Sequence, residues 1–96
     1  MTKYTVTELV EKCIARDLNA QRYIFDTYSS RLLGVIIRYF NELEDAEDVL
    51  VDSFHLILTR MDSYSGNEDE RVLFGWMRKI CVNQSLTRIR RDKARN

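Results

Sequence analysis

The chain has 96 residues, 45% of them hydrophobic and 31% charged, with 15 basic and 15 acidic side chains and no net charge at pH 7. That length allows one small domain with a modest core, because a chain this size buries only about 60–65% of the surface it exposes when unfolded. The composition excludes a disordered chain, and no apolar run approaches the ~18 residues needed to span a bilayer. With no signal-peptide pattern either, a cytoplasmic protein is expected.

The charges are segregated along the chain. Residues 1–40 hold six Lys/Arg against four Asp/Glu, residues 41–70 hold Arg60 against ten acids, and residues 71–96 hold eight basic residues against Asp92 alone. Such a division predicts two surfaces with different partners, one suited to cations and one to phosphates.

Four helices are predicted in chain order. Val6, Leu9, Val10, Cys13 and Ile14 follow the i, i+3, i+4, i+7, i+8 rule over 5–17, and Thr5 with Glu8 forms a capping-box pattern. The second helix, 20–40, carries Tyr23, Ile24, Tyr28, Leu32, Leu33, Ile36, Tyr39 and Phe40, apolar around more than half its circumference, so it is expected at the centre of a bundle. The third, 44–61, places Ala46, Val49, Leu50, Phe54, Ile57, Leu58 and Met61 inward. Residues 62–71, "DSYSGNEDER", lack any period and read as a loop. The fourth helix, 72–91, is covered through Leu73, Trp76, Met77, Ile80, Gln84, Leu86 and Ile89, and the basic tail "TRIRRDKARN" is expected to fray beyond its last apolar anchor, Ile89. With no strand alternation and no Pro, the expected fold class is all-α, a compact bundle of about four helices. Cys13 and Cys81 form no CxxC and sit in apolar patterns, as reduced thiols used in the core.

Catalytic chemistry is poorly supported. His55 is the one histidine and has no Cys or second His at ligand spacing. Asp48, Asp52 and His55 share a helical face, but a solvated face accounts for them more simply than a metal or acid–base site. There is no Gly-rich phosphate loop and no nucleophile elbow, so a non-enzyme without a cofactor is expected. Asp45, Asp48, Asp52, His55 and Thr59 step by 3, 4, 3 and 4 residues and form one outward stripe. Spacing alone leaves a protein-binding face and a merely solubilising one equally open. In the fourth helix Arg78, Lys79, Arg88, Arg90, Arg91 and Lys93 alternate with Asn83, Gln84, Ser85 and Thr87. Cations neutralise phosphates and short polar side chains read base edges, so nucleic acid is favoured over an anionic protein or membrane, or a plain solvated face. At helical spacing from Leu73 and Ile80, Trp76 suits the core better than a base-stacking platform. Tyr64, in the loop, fits either role.

The order of these features resembles one family. "RLLGVIIRYFNELEDAEDVLVDSFHLIL", a Ser/Gly loop, then "LFGWMRKICVNQSLTRIRR" is similar to the sigma-2 domain of bacterial extracytoplasmic-function sigma factors, over about Glu8 to Lys93. The matching parts are "DAED" at Asp45–Asp48, the following Phe54, "GWMRKI" at Gly75–Ile80, Asn83, and Arg90–Arg91. The resemblance implies a transcription initiation factor domain. It would dock on the coiled coil of the largest subunit of core RNA polymerase through Asp45, Asp48, Val49 and Asp52, with His55 and Thr59 at the edge. It would recognise and melt the minus-ten promoter element by capturing a non-template-strand base at Ser63, Tyr64, Ser65, Gly66 and Asn67. Arg78, Lys79, Asn83 and Thr87 would contact the single strand, and Arg90 and Arg91 its phosphates. Many family members also have an anti-sigma partner.

The chain departs from the family at Val51, where Gln is usual, at Leu58, where Trp is common, and at Thr87, where Asp or Asn is frequent. Glu68, Asp69 and Glu70 add negative charge to a loop meant to meet DNA. The family's carboxyl-terminal helix-turn-helix domain is not encoded in these 96 residues. Residues 92–96 match the start of its linker, so a domain taken from a longer protein is expected. The reading from another class is a helical interaction adaptor with opposed acidic and basic faces.

Overall fold

The structure is a computed structural model that describes residues 3–95. It is an all-α bundle with the element order α1 (Val6–Ile14), α2 (Leu18–Ile36), a short 3-10 turn (Ile37–Tyr39), α3 (Leu43–Thr59), a second 3-10 turn (Met61–Ser63) and α4 (Glu70–Arg95). Helix α1 starts as its sequence dictates: the Thr5 hydroxyl accepts from the Glu8 amide while the Glu8 carboxylate accepts from the Thr5 amide. It ends three residues earlier than the 5–17 expectation. Arg16 adopts φ 63°, its amide donates to the Cys13 carbonyl, and the Asp17 amide donates to the Lys12 carbonyl. This closure satisfies the last carbonyls of the helix as a glycine would, here with an arginine in the left-handed region. Asp17 then caps α2 by accepting from the amides of Asn19 and Ala20, so that helix begins at Leu18 rather than at residue 20.

Helix α2 buries Ala20, Ile24, Tyr28, Leu32 and Ile36 and packs against the other three helices. Its last turn tightens to 3-10 geometry over Ile37–Tyr39, and Phe40 is extended, so the helix closes before residue 40. Helix α3 contributes Ala46, Val49, Leu50, Phe54 and Ile57 to the core, and α4 contributes Leu73, Met77, Ile80 and Cys81. Among the described residues Ser53 and Ser85 are the buried polar ones. Ser85 donates to the Cys81 carbonyl at 2.9 Å, and Ser53 lies beside the Cys81 thiol with its hydroxyl lacking a partner of hydrogen-bonding geometry.

Two boundaries of the basic helix differ from expectation. The predicted 62–71 loop shrinks to residues 64–69, because Met61–Ser63 forms a turn and Asp69 starts α4 at Glu70. At the other end α4 continues through Arg95 rather than ending at 91, so 92–95 is helical and does not fray; Asn96, the last residue of the expected linker start, lies outside the described residues. No Gly or Pro interrupts the run after Gly75, and Arg88 binds Asp92 four residues on at 3.1 Å. Leu86, expected on the covered side, is exposed. Among the described residues no helix is long and apolar enough to cross a membrane.

Cys13 and Cys81 are buried free thiols, each pushed from 9.0 up to about 11, chiefly by burial. Each stays protonated in the folded protein and ionises on unfolding once the pH passes 9.0. Unfolding therefore releases protons, and stability should fall by about 1.4 kcal/mol per pH unit per thiol between those values. Denaturant titrations at pH 8 and pH 10.5 measure the fall. An aromatic disulfide reagent at pH 8 should find neither thiol until denaturant is added.

Candidate nucleic-acid and partner interfaces

The outward side of α3 forms first from helical geometry. With Ala46, Val49, Leu50 and Phe54 turned to the core, Glu44, Asp48, Val51, Asp52, His55 and Thr59 face solvent. Two of the predicted docking residues leave this set. Val49 is 2% exposed and belongs to the core, where it fixes the helix rather than meeting a partner. Asp45 lies at the flank toward α4 and accepts from the Arg88 guanidinium at 3.2 Å, while the same guanidinium binds Asp92. That ion pair is half-buried and ties the start of α3 to the end of α4. Val51, at 63% exposure, stands among the acids as an apolar spot.

The carboxyl-terminal end of this face borders a groove of about 530 Å³ between α1, α2 and α3, lined by Ile14, Arg16, Leu18, His55, Leu58 and Thr59 among others. Leu18 is 77% exposed at its lip. An acidic stripe beside a groove of mixed polar and apolar lining suits a basic partner helix that also carries apolar anchors. Among the described residues no group of three or more His, Cys, Asp or Glu is gathered to hold a metal ion.

Helix α4 presents a second stripe. Trp76, Lys79, Asn83, Thr87 and Arg90 step by 3, 4, 4 and 3 residues, within about 80° of one another around the axis. Lys79, Asn83, Thr87 and Arg90 are exposed. Two of the predicted DNA residues lie off this stripe. Arg91 sits about 100° around the helix from Arg90, and Arg78 about 100° from Lys79 on the side toward α2.

The 64–69 segment closes over the upper end of the stripe. The Tyr64 ring packs edge-on against Trp76 with centroids 5.5 Å apart. Its hydroxyl donates to the Asn67 carbonyl at 3.1 Å. Gly66 runs beneath the Tyr64 ring, where a Cβ would collide with it, so a side chain at 66 would open the segment. Trp76 is half-buried and Tyr64 covers part of it, an arrangement between core residue and stacking surface. Ser63 is less available than expected, since its hydroxyl donates to the Arg60 carbonyl at 2.7 Å. Ser65, Gly66 and Asn67 are exposed.

The three loop acids turn toward the protein. Glu68 accepts from the Thr7 amide at 2.6 Å and from the Thr7 hydroxyl, placing its charge at the amino-terminal end of α1, where the helix dipole favours an anion. Asp69 caps α4 through the Arg71 amide and binds the Arg71 guanidinium, which holds its carboxyl below the usual range. Glu70 pairs with Arg31 at 3.4 Å. The Arg31 guanidinium also lies 5.0 Å from the Tyr28 ring centre and 4.7 Å from that of Phe74. Burial, helped by Glu70, pushes the Tyr28 phenol above its ordinary value. All three carboxylates are thus balanced by cations or amides before any phosphate approaches.

Sequence reasoning assigned no functional residue to α2. Arg31, Arg38 and Tyr39 join Arg78 around a groove of about 500 Å³ floored by Gly34 and Val35. The i, i+7 spacing of Arg31 and Arg38 was visible in the chain, but their meeting with Arg78 depends on helix packing. No protein-family model matches the chain, and neither does any curated protein.

Proposed function

We propose that the chain is a promoter-recognition and melting domain of the sigma-2 kind, docking on core RNA polymerase and taking the non-template strand of the minus-ten element. One observation carries the reading: a stripe on α4 of two cations with the Asn83 amide and the Thr87 hydroxyl between them, running directly into an aromatic-covered loop whose acids are already neutralised. The phosphates of a single strand meet Lys79 and Arg90, which supply a salt-sensitive attraction independent of sequence. Asn83 and Thr87 lie between those cations, where they meet base edges. Unstacking a base costs a few kcal/mol, and the exposed Ser65–Asn67 segment beside Tyr64 offsets it by receiving the base.

The outward face of α3 holds the polymerase, with Asp48 and Asp52 as its charges and His55 and Thr59 at its edge. Asp45 and Val49 support that face from within. An anti-sigma factor would compete for either surface. The adaptor reading keeps the same two faces and gives them other protein partners.

Replacing Asp48 and Asp52 by Ala separates these readings. Affinity for core polymerase should fall about tenfold or more, ~1.4 kcal/mol, while binding of a labelled non-template oligonucleotide stays as it was. Asp45 is left intact because its loss would loosen the α3–α4 junction. If core polymerase binds neither the parent chain nor the variant, the adaptor reading takes over.

A further inference from the structure

The basic groove between α2 and α4 has no role in the stripe just described. Its wall holds guanidinium groups from two helices: Arg31 and Arg38 from α2 and the turn that follows it, and Arg78 from the flank of α4. Among the described residues neither Arg38 nor Arg78 has a carboxylate within ion-pairing distance, while Arg31 is held by Glu70 and two aromatic rings. Three like charges around about 500 Å³ repel one another unless an anion sits between them. The forked donors of arginine match the oxygens of a phosphate better than those of a point anion. Tyr39, exposed at the rim, adds an aromatic face. Gly34 on the floor has no heavy atom within 4 Å of where a Cβ would lie, so the groove is open there. Arg78 lies one residue before Lys79 and about 100° around the helix, so the groove flanks the α4 stripe on its α2 side.

We infer that this groove seats one phosphate of a single-stranded nucleic acid, the same strand that runs along Lys79 and Asn83, with a neighbouring base against Tyr39. The inference rests on the DNA reading of α4 and extends the strand's path onto α2. Backbone contact plus an aromatic face is the usual construction of a single-strand track. A free carboxylate of a protein would use the cations but gain nothing from Tyr39.

The test is the affinity of the full chain for a fluorescent single-stranded oligodeoxynucleotide carrying a minus-ten element, measured from 50 to 400 mM salt with and without core polymerase. The double variant Arg38→Gln/Arg78→Gln should lose one phosphate contact: the slope of log affinity against log salt flattens by about 0.7, and affinity at 0.1 M salt falls about fivefold. Gly34→Gln keeps every charge and is a better helix former than Gly, so it should melt no lower than the parent chain while filling the groove and weakening the strand to a similar extent. If Lys79→Gln weakens binding but the double variant and Gly34→Gln both bind like the parent, the groove is not on the path, and the DNA reading survives without it. Groove variants that lose affinity for core polymerase and keep it for the oligonucleotide would assign the groove to an acidic protein surface and overturn the proposal. A parent chain that binds no single strand in either condition overturns both.

Discussion

Leu32→Ala should cost about 3–5 kcal/mol of stability and lower the thermal midpoint by roughly 12 °C or more. Leu32 is fully buried in the second half of α2, the helix that touches α1, α3 and α4. Truncation there removes apolar contacts to several elements at once and leaves a cavity that no single helix can close by shifting. A domain of this size has only about 5–15 kcal/mol to lose, so the variant stands near the limit of folding. The same truncation at Leu86, which is 41% exposed on α4, should stay within about 0.5 kcal/mol. Urea melts of the two variants, with equal slopes, make the comparison. Similar losses at both sites would mean that the core is not centred on α2.

Local rules explain which parts of this fold were readable from the chain. The Thr5–Glu8 capping box involves residues three apart, and it forms as its pattern requires. The wide apolar surface of α2 likewise pointed to its central place. Helix ends were less readable because their determinants are conformational. The stop after Ile14 depends on Arg16 adopting a positive φ, which an arginine does not advertise. The extension of α4 comes from Arg88, which joins Asp92 within the helix and Asp45 across 43 residues. Periodicity alone carried Leu86 onto the covered side. Past Ser85 the last buried position is behind it, and Arg88 rather than Leu86 meets α3.

The two faces were legible for a similar reason and to a similar extent. Helical period placed Asp48, Asp52, His55 and Thr59 in one outward row, and Lys79, Asn83, Thr87 and Arg90 in another, and the structure leaves all eight exposed. Contacts between distant segments decided the rest. Glu68 reaches Thr7 across 61 residues and Glu70 reaches Arg31 across 39, so the acids that looked hostile to DNA are already occupied. No spacing rule could have removed Asp45 from the docking row or brought Arg38 beside Arg78. Charge segregation was a true feature of the chain, but several of its members are spent inside the molecule.

Lys79→Ala/Arg90→Ala should weaken binding of a single-stranded minus-ten oligonucleotide about 25-fold at 0.1 M salt, with the salt slope flattened by about 1.4, since each cation accounts for about 0.7 on a single strand. The loss should be the same for matched and scrambled oligonucleotides, because phosphates carry no sequence information. It should shrink as the salt concentration rises toward 1 M, where the released counterions no longer favour binding. Asn83→Ala should behave in the opposite way. It leaves the slope unchanged and reduces discrimination between matched and scrambled strands, by about 1–3 kcal/mol if its amide makes a paired contact with a base. Both residues of the double variant are exposed and outside every ion pair among the described residues, so the fold should be unaffected. An unchanged slope in the double variant would take the phosphates off this stripe. An Asn83 variant that loses affinity equally for all strands would leave α4 a holder of nucleic acid and not a reader of it.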